Sequence, residues 1–227
     1  MPLSTEDLRE RLRRLTSTAV LPWGVVSSGL PALDSALPAG GFRRGTLVEW
    51  LADSPGSGTT RSALHAAGRA IGEGRPLVVV DARQTFHPPG IGSAIDWSQV
   101  LLVRASDEAQ AYWAVDQALG TSGVGAVLTF FDRDDERKLR RWQLSAERSG
   151  VLGLIVRRLD HPPTACFSDL RIRVTPLSAV EGRLVRLELL RSRQGGVGAV
   201  VTARLDDDAH PLSDARTLVE PRKLGRA

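Results

Sequence analysis

The sequence predicts an α/β protein with a three-layer core, in which helices cover both faces of a mostly parallel sheet. First, apolar strand-like segments alternate with helical ones between residues 45 and 156, which is typical of right-handed βαβ units. Second, segment 76–81 (PLVVVD) is a continuous β-branched run, as in strands that are buried on both faces. Third, the segments after residue 170 lack intervening helices and predict a small antiparallel C-terminal extension at one edge of the sheet.

Each element has its own local signal, since capping residues mark helix ends and short apolar runs between turn residues mark strands. These signals predict helices over 30–37, 59–71, 107–119 and from 134 or 135 to 149. They predict parallel strands over 45–51, 76–81, 100–103, 126–131 and 152–156, and extension strands over 170–176, 184–191 and 197–205. Segment 22–29 is expected to be a linker or the entry to the core, and segment 39–42 a turn.

The composition is that of one domain with extensions. With 227 residues, 42% of them hydrophobic, the chain can form one sizeable core, which we place at 23–205. No apolar run of about 18 residues occurs, so a membrane partner is not expected. Cys166 is the only cysteine and the histidines lack metal-ligand spacing, so neither an internal disulfide nor a metal site is expected. We therefore expect a cytoplasmic protein.

The two ends of the chain differ from the core. In segment 1–22, Leu8, Leu12 and Leu15 recur at helical spacing with arginines between them, which predicts an amphipathic basic helix. Two interpretations stay open, because such a helix can pack on its own core or dock on a neighbouring protein. Segment 206–227 is polar and is expected to be a flexible tail or a docking segment that orders on a partner.

A glycine-containing loop lies between a predicted strand and a predicted helix, which is the usual setting for a phosphate. Compared with the motif G-x-x-x-x-G-K-[ST], Asp53 replaces the first glycine, Gly58 is kept, Thr59 replaces the lysine and Thr60 keeps the hydroxyl. Losing a cation and gaining an anion should each cost a few kcal/mol of triphosphate binding in a partly desolvated site. The loop therefore predicts no cofactor, and the alternative is weak residual binding of nucleotide or phosphate, with charge supplied by Arg61.

A cluster of cations lies in or next to the helix predicted to end at residue 149. Its members are Arg133, Arg137, Lys138, Arg140, Arg141 and Arg148. The functional interpretation is a surface for DNA phosphates or an acidic partner, consistent with a net charge of +4. The alternative is a solvated outer face, balanced by neighbouring acidic residues. The tryptophans Trp23, Trp50, Trp97 and Trp113 are expected in the core or at its rim rather than as stacking platforms.

Several segments resemble the recombinase RecA. Segments 28–37 (SGLPALDSAL) and 40–49 (GGFRRGTLVE) resemble the start of the RecA core, and 63–66 (ALHA) and 80–82 (VDA) resemble later parts of it. The resemblance covers about residues 24–205 and implies a RecA-like fold.

The departures from RecA fall on its catalytic positions. The resemblance places Arg83 where RecA has its catalytic glutamate, Phe130 where it has a magnesium-site aspartate, and Arg158 near its nucleotide-sensing glutamine. The segments that correspond to its two DNA-binding loops are short, at 132–135 and 159–168. Together with Thr59, these departures imply that the chain is not a working ATPase.

Segments 139–153 (LRRWQLSAERSGVLG), 170–174 and 186–193 are also similar to the ImuA proteins, which are related to the SulA cell-division inhibitors. This resemblance implies an accessory protein of damage-induced mutagenesis and translesion synthesis. Its implied partners are an ImuB-like, inactive Y-family polymerase, an error-prone DnaE-type polymerase, and RecA, which Leu8, Leu12 and Leu15 would contact unless they serve self-assembly.

The expected function is thus that of a non-catalytic RecA-like adaptor, associated with the nucleoid after DNA damage. Two alternatives to this function stay open. The first is that the chain is a divergent, active RecA-class ATPase that binds DNA. The second is that it is a SulA-like inhibitor of cell division.

Overall fold

The computed structural model describes residues 23–71, 74–84, 86–87, 95–131, 136–159, 167–180 and 182–205. The predicted N-terminal helix with Leu8, Leu12 and Leu15, the predicted tail 206–227 and Arg133 lie outside the described residues. The domain boundaries at 22 and 205 stay a prediction.

The strands of the described part form one large sheet and one small one. The small sheet pairs β1 (Val25–Val26) with β2 (Phe42–Arg43) in antiparallel orientation. The large sheet has the order β10-β9-β8-β3-β7-β6-β4-β5. Its strands are β3 (Leu47–Ala52), β4 (Leu77–Val80), β5 (Val100–Val103), β6 (Ala126–Phe130), β7 (Leu152–Arg158), β8 (Leu170–Leu177), β9 (Leu184–Ser192) and β10 (Val200–Arg204). Strands β8, β3, β7, β6, β4 and β5 are parallel, whereas β9 and β10 are antiparallel.

Helices cover both faces of this sheet. The described helices are α1 (Pro31–Ala36), α2 (Thr59–Ile71), α3 (Glu108–Leu119) and α4 (Glu136–Ser149), with a short 3₁₀ turn at Trp97–Gln99. Alternate residues of β3 face opposite layers, because Val48 and Trp50 pack in the core under α2, whereas Leu47 packs in the core under α3 and α4. The three-layer arrangement is the one that the sequence predicts. None of the described helices has the length and apolarity that crossing a membrane requires.

The C-terminal strands form the predicted antiparallel extension, because β8 pairs antiparallel with β9 and β9 with β10. The other edge of β8 pairs in parallel with β3, from Val48 opposite Leu170 to Ala52 opposite Val174, which the sequence did not predict. The connection 159–169 is long enough to return the chain in the parallel direction without an intervening helix in its described part. In addition, the expected linker at 22–29 and turn at 39–42 contribute the short pair β1–β2.

A buried ion cluster lies at the centre of the sheet. Glu49 on β3 is fully buried, and its Oε2 accepts a hydrogen bond of 2.9 Å from Nε of Arg171, the residue opposite it on β8. Arg157 on β7 lies on the other side, with its Nη1 3.6 Å from the same oxygen. Because a buried carboxylate is costly unless it is paired, these contacts hold β7, β3 and β8 in one register.

Asp169, directly before β8, is a second buried carboxyl. It accepts hydrogen bonds from the Leu47 N–H at 3.1 Å and from the Gln143 side chain at 3.2 Å, and Nη1 of Arg193 lies 3.6 Å away. Burial raises the pKa of Asp169 to about 6, and the hydrogen bond from Leu47 opposes the rise only in part. The group therefore binds a proton more tightly in the folded chain than in the unfolded one.

This carboxyl should make stability depend on pH. Its contribution is fully present below the unfolded pKa near 4 and is lost as the pH rises through about 6. We expect the free energy of unfolding of Asp169→Asn, minus that of the wild type, to increase by about 2–3 kcal/mol between pH 4 and pH 7. Urea denaturation across this range measures the difference. Asp96→Asn is the control, since hydrogen bonds from Ser98 lower the pKa of Asp96 and its titration lies below the range. A constant difference for Asp169→Asn would contradict the shift.

Candidate functional site

A cavity of about 350 Å³ opens at the carboxyl ends of the parallel strands. The end of β3, the loop that follows it and the start of α2 form one wall, and the ends of β6 and β7 form another. Ligands of open α/β sheets bind at this edge, because the loops that follow the strands converge there. The cavity is therefore the candidate site.

The structure places most of the predicted site residues around this cavity. Gly58, Thr59, Thr60 and Arg83 line it, and so do Phe130 and Arg158, which the sequence resemblance assigns to RecA's magnesium and sensor positions. Asp53 is not among the lining residues. Its carboxylate accepts a hydrogen bond of 3.1 Å from the Thr175 hydroxyl on β8. The roles assigned to these residues stay a prediction, but the fold brings their positions together.

The loop is held mainly by its own contacts. Gly56 and Gly58 have positive φ angles of 74° and 87°, which glycine adopts without strain. Thr59, at the position of the lysine, is 4% exposed, and its hydroxyl lies 2.6 Å from that of Ser57. The Ser62 hydroxyl donates to the Gly58 carbonyl at 3.0 Å and closes the first turn of α2. The side chain at the lysine position is thus part of the packing of the loop and carries no charge.

Arginines dominate the charge of the cavity. Arg61, Arg83, Arg157, Arg158 and Arg183 line it, and none of the five is without an interaction partner. No acidic side chain occurs among the described lining residues, and no group of three or more His, Cys, Asp or Glu suited to a metal occurs in the described part. The cavity can attract an anion, but its described walls lack a carboxylate that could orient water or hold Mg²⁺.

Two of these arginines were not predicted from the sequence. Arg157 directly follows the apolar run of β7 and is still part of the strand, so its place at the strand end next to Arg158 was an available signal. Arg183 comes from the turn before β9 and reaches the cavity only because the C-terminal strands fold beside the loop. Gly58 lies against the same region, since a Cβ there would be 2.8 Å from Leu205 and 3.1 Å from Val185.

The predicted basic cluster lies along α4, but its described members differ in their contacts. Arg137, Arg140, Arg141 and Arg148 are exposed. Arg141 forms two hydrogen bonds with Asp116 on α3, of 3.0 and 2.7 Å, and Nζ of Lys138 lies 3.4 Å from the centre of the Tyr112 ring. Arg140 stacks over Phe167 at 5.6 Å.

The expectation for the tryptophans holds for Trp50 and is wrong for Trp113. Trp50 is fully buried under α2. Trp113 on α3 is 66% exposed, whereas its neighbours Ala111 and Val115 are buried. These two neighbours form the apolar face of α3, and Trp113 lies outside it because it is two residues from each.

Comparisons with known proteins agree with the predicted resemblance. The chain is 30% identical over 143 residues to protein ImuA of Caulobacter vibrioides, a match that covers 60% of this chain and 59% of ImuA. It is 33% identical over 112 residues to RecA of Chlorobaculum parvum, covering 49% of this chain and 32% of RecA. The matched region is thus less than two thirds of the length of ImuA and about one third of the length of RecA. No family model matches the chain.

The fold agrees with that of a solved recombinase. The crystal structure of the RadB recombinase superposes with a TM-score of 0.63 and 18% identity, covering 79% of this chain and 95% of RadB. The predicted RecA-like fold is therefore confirmed, and in sequence the chain is similar to ImuA and to RecA.

Gly58 contacts the C-terminal strands and Gly56 does not, so alanine substitutions at these two glycines should lower the free energy of unfolding by different amounts. Gly58→Ala places a Cβ in a left-handed conformation and against Leu205 and Val185, whereas nothing lies within 4 Å of a Cβ at Gly56. We expect Gly56→Ala to lower the free energy of unfolding by about 1 kcal/mol, from backbone strain. Gly58→Ala should cost about 1–2 kcal/mol more, from overpacking. Urea denaturation of both variants measures this, and equal losses would contradict the contact.

Proposed function

We propose that this chain is a non-catalytic RecA-like adaptor in DNA-damage-induced mutagenesis. In this role it binds an ImuB-like, inactive Y-family polymerase and RecA, and it supports error-prone synthesis by a DnaE-type polymerase. The observation that carries the proposal is the cavity itself. It lies at the strand ends and is lined by Thr59, Arg83 and Phe130, the residues that the sequence resemblance assigns to the positions of RecA's lysine, base and metal ligand.

Each of these three residues lacks a different chemical group that ATP hydrolysis needs. Attack on a phosphate needs a group that accepts or orients the proton of water, and the guanidinium of Arg83 has no acceptor. Mg²⁺ takes oxygen ligands, and the Phe130 ring has none. The developing charge on the phosphate needs a cation in the loop, and the buried hydroxyl of Thr59 is neutral. One such change leaves a weakened enzyme, but three in one cavity leave a binding scaffold.

The similarity to ImuA and RecA supports the pathway and the partners. The ImuA match covers more than half of this chain, and the RecA match covers about half. An adaptor needs a rigid body and specific surfaces, and both are compatible with loss of the catalytic residues. The exposed cations of α4 are the surface that the described part offers for such contacts.

A nucleotide-binding assay tests the loss of catalysis. With millimolar ATP and Mg²⁺, a site of micromolar Kd would stabilise the fold by about 4 kcal/mol and raise Tm by several degrees. We expect no rise in Tm, and ATP hydrolysis no faster than that of Thr60→Ala, which lacks the hydroxyl that binds Mg²⁺ in the motif. Thermal unfolding and phosphate release measure both quantities. A nucleotide-dependent rise together with hydrolysis above the Thr60→Ala rate would support the divergent ATPase instead.

A genetic assay tests the adaptor role. We expect deletion of this chain to abolish ultraviolet-induced mutation, because the polymerases lose their scaffold. Thr60→Ala and Arg83→Ala should each keep the wild-type mutation frequency, because neither residue supports a reaction. The readout is the frequency of rifampicin-resistant colonies at matched protein levels. If Thr60→Ala behaves like the deletion, the function depends on nucleotide chemistry, and if deletion has no effect, the pathway is wrong.

A further inference from the structure

One row of side chains runs along the outer face of α4. Arg137, Arg141, Leu144 and Arg148 follow one another at intervals of three and four residues, so they lie on one side of the helix. All four are exposed, including 72% of the Arg141 side chain and 40% of Leu144. The buried residues of α4 lie on the opposite side, so the row points away from the sheet.

Trp113 lies on α3 beside this row. It is one turn before Asp116, which binds Arg141 through two hydrogen bonds and holds α3 and α4 side by side at this level. Trp113 is 66% exposed and lies on the side of α3 opposite to the buried Ala111 and Val115. Since α3 and α4 pack on the same core, Trp113 and the row both lie on the outer side of this helix layer. Tryptophan is enriched at interfaces, because its large apolar ring carries a polar N–H and gains free energy when a partner covers it.

The charge of the row is available to a ligand. In the described part of the chain, neither Arg137 nor Arg148 forms an ion pair, whereas Arg141 is the cation that Asp116 neutralises in part. Arg137 and Arg148 are eleven residues apart, which corresponds to about 16 Å along a helix. A strand of nucleic acid presents several phosphates over this length, since its charges repeat every 3.4 Å or somewhat more when the strand is extended.

We propose that this surface binds single-stranded nucleic acid, with a base stacked on Trp113 and phosphates on the arginine row. Every base offers a π-face to an exposed indole, and arginines track the backbone without reading sequence. In a duplex the bases are stacked on one another and do not reach the indole, so the single strand is favoured. The surface lies on the outer layer of helices, away from the cavity, and the proposal does not depend on the function of that cavity.

The test measures the affinity of the full chain for a fluorescein-labelled oligothymidylate of about 15 nucleotides at several salt concentrations. With three arginines in contact, log K against log salt should have a slope of about −2. Arg137→Ala and Arg148→Ala should each weaken binding and make the slope less steep by about 0.7. Trp113→Leu should weaken binding about tenfold with the slope unchanged, because stacking releases no counterion.

The matched control is Arg69→Ala, which removes one positive charge from α2 on the opposite face of the sheet and should leave affinity and slope unchanged. Urea denaturation checks that each variant is folded, which we expect because the substituted residues of the surface are exposed. An equal loss for Arg69→Ala and Arg148→Ala would mean that only net charge acts, and the proposal would be overturned.

Two competitors separate the remaining possibilities. Duplex DNA at equal phosphate concentration should displace the labelled oligothymidylate poorly. If duplex DNA competes as effectively as unlabelled oligothymidylate, the stacking role of Trp113 is wrong. Polyglutamate is the probe for an acidic protein partner. If it displaces the oligothymidylate as effectively as unlabelled oligothymidylate and Trp113→Leu has no effect, the surface recognises acidic protein and the nucleic-acid proposal is wrong.

Discussion

Glu49 lies at the centre of the sheet, where water does not reach its carboxylate. Arg171 from β8 and Arg157 from β7 supply the charges that make this burial tolerable. Removing one partner of such a cluster costs about 3–5 kcal/mol, because the remaining charge cannot be hydrated. The cluster therefore penalises any other register of β7, β3 and β8. These three strands carry the loop, the arginines at the end of β7 and the anchor of Asp53, so the geometry of the cavity depends on it.

This dependence explains how the shape of the cavity can be independent of the residues that line it. The strand ends are held by the ion cluster beneath them and by the apolar cores on both faces, which contain no catalytic group. The Thr59 hydroxyl lies beside that of Ser57 within the loop, and Asp53 accepts a hydrogen bond from Thr175 on β8, so both side chains help to hold the loop in place. A scaffold of this kind keeps its shape when its active-site residues change, because those residues lie at the end of the sheet and not within it.

The sequence predicted best what is determined locally. Helix α2 and strand β5 have the predicted bounds, because helical periodicity and a short apolar run act within one segment. The parallel pairing of β8 and the reach of Arg183 to the cavity were not predictable from local patterns, since both arise from contacts between distant segments. Two other features had a signal. Glu49 interrupts an apolar strand, which suggests a buried charge with partners, and Trp113 lies off the apolar face of α3.

Helix α4 connects the buried core to the exposed outer surface of the protein. On its inner side, Trp142 packs in the core, and Gln143 donates to the buried Asp169, which in turn binds the first residue of β3. On its outer side, Arg137 and Arg148 are exposed and form no ion pair with a described residue. The orientation of the outer row is therefore fixed by residues that no ligand touches. Such a division lets substitutions on the outside of α4 change the outer surface of the protein while the core keeps the helix in place.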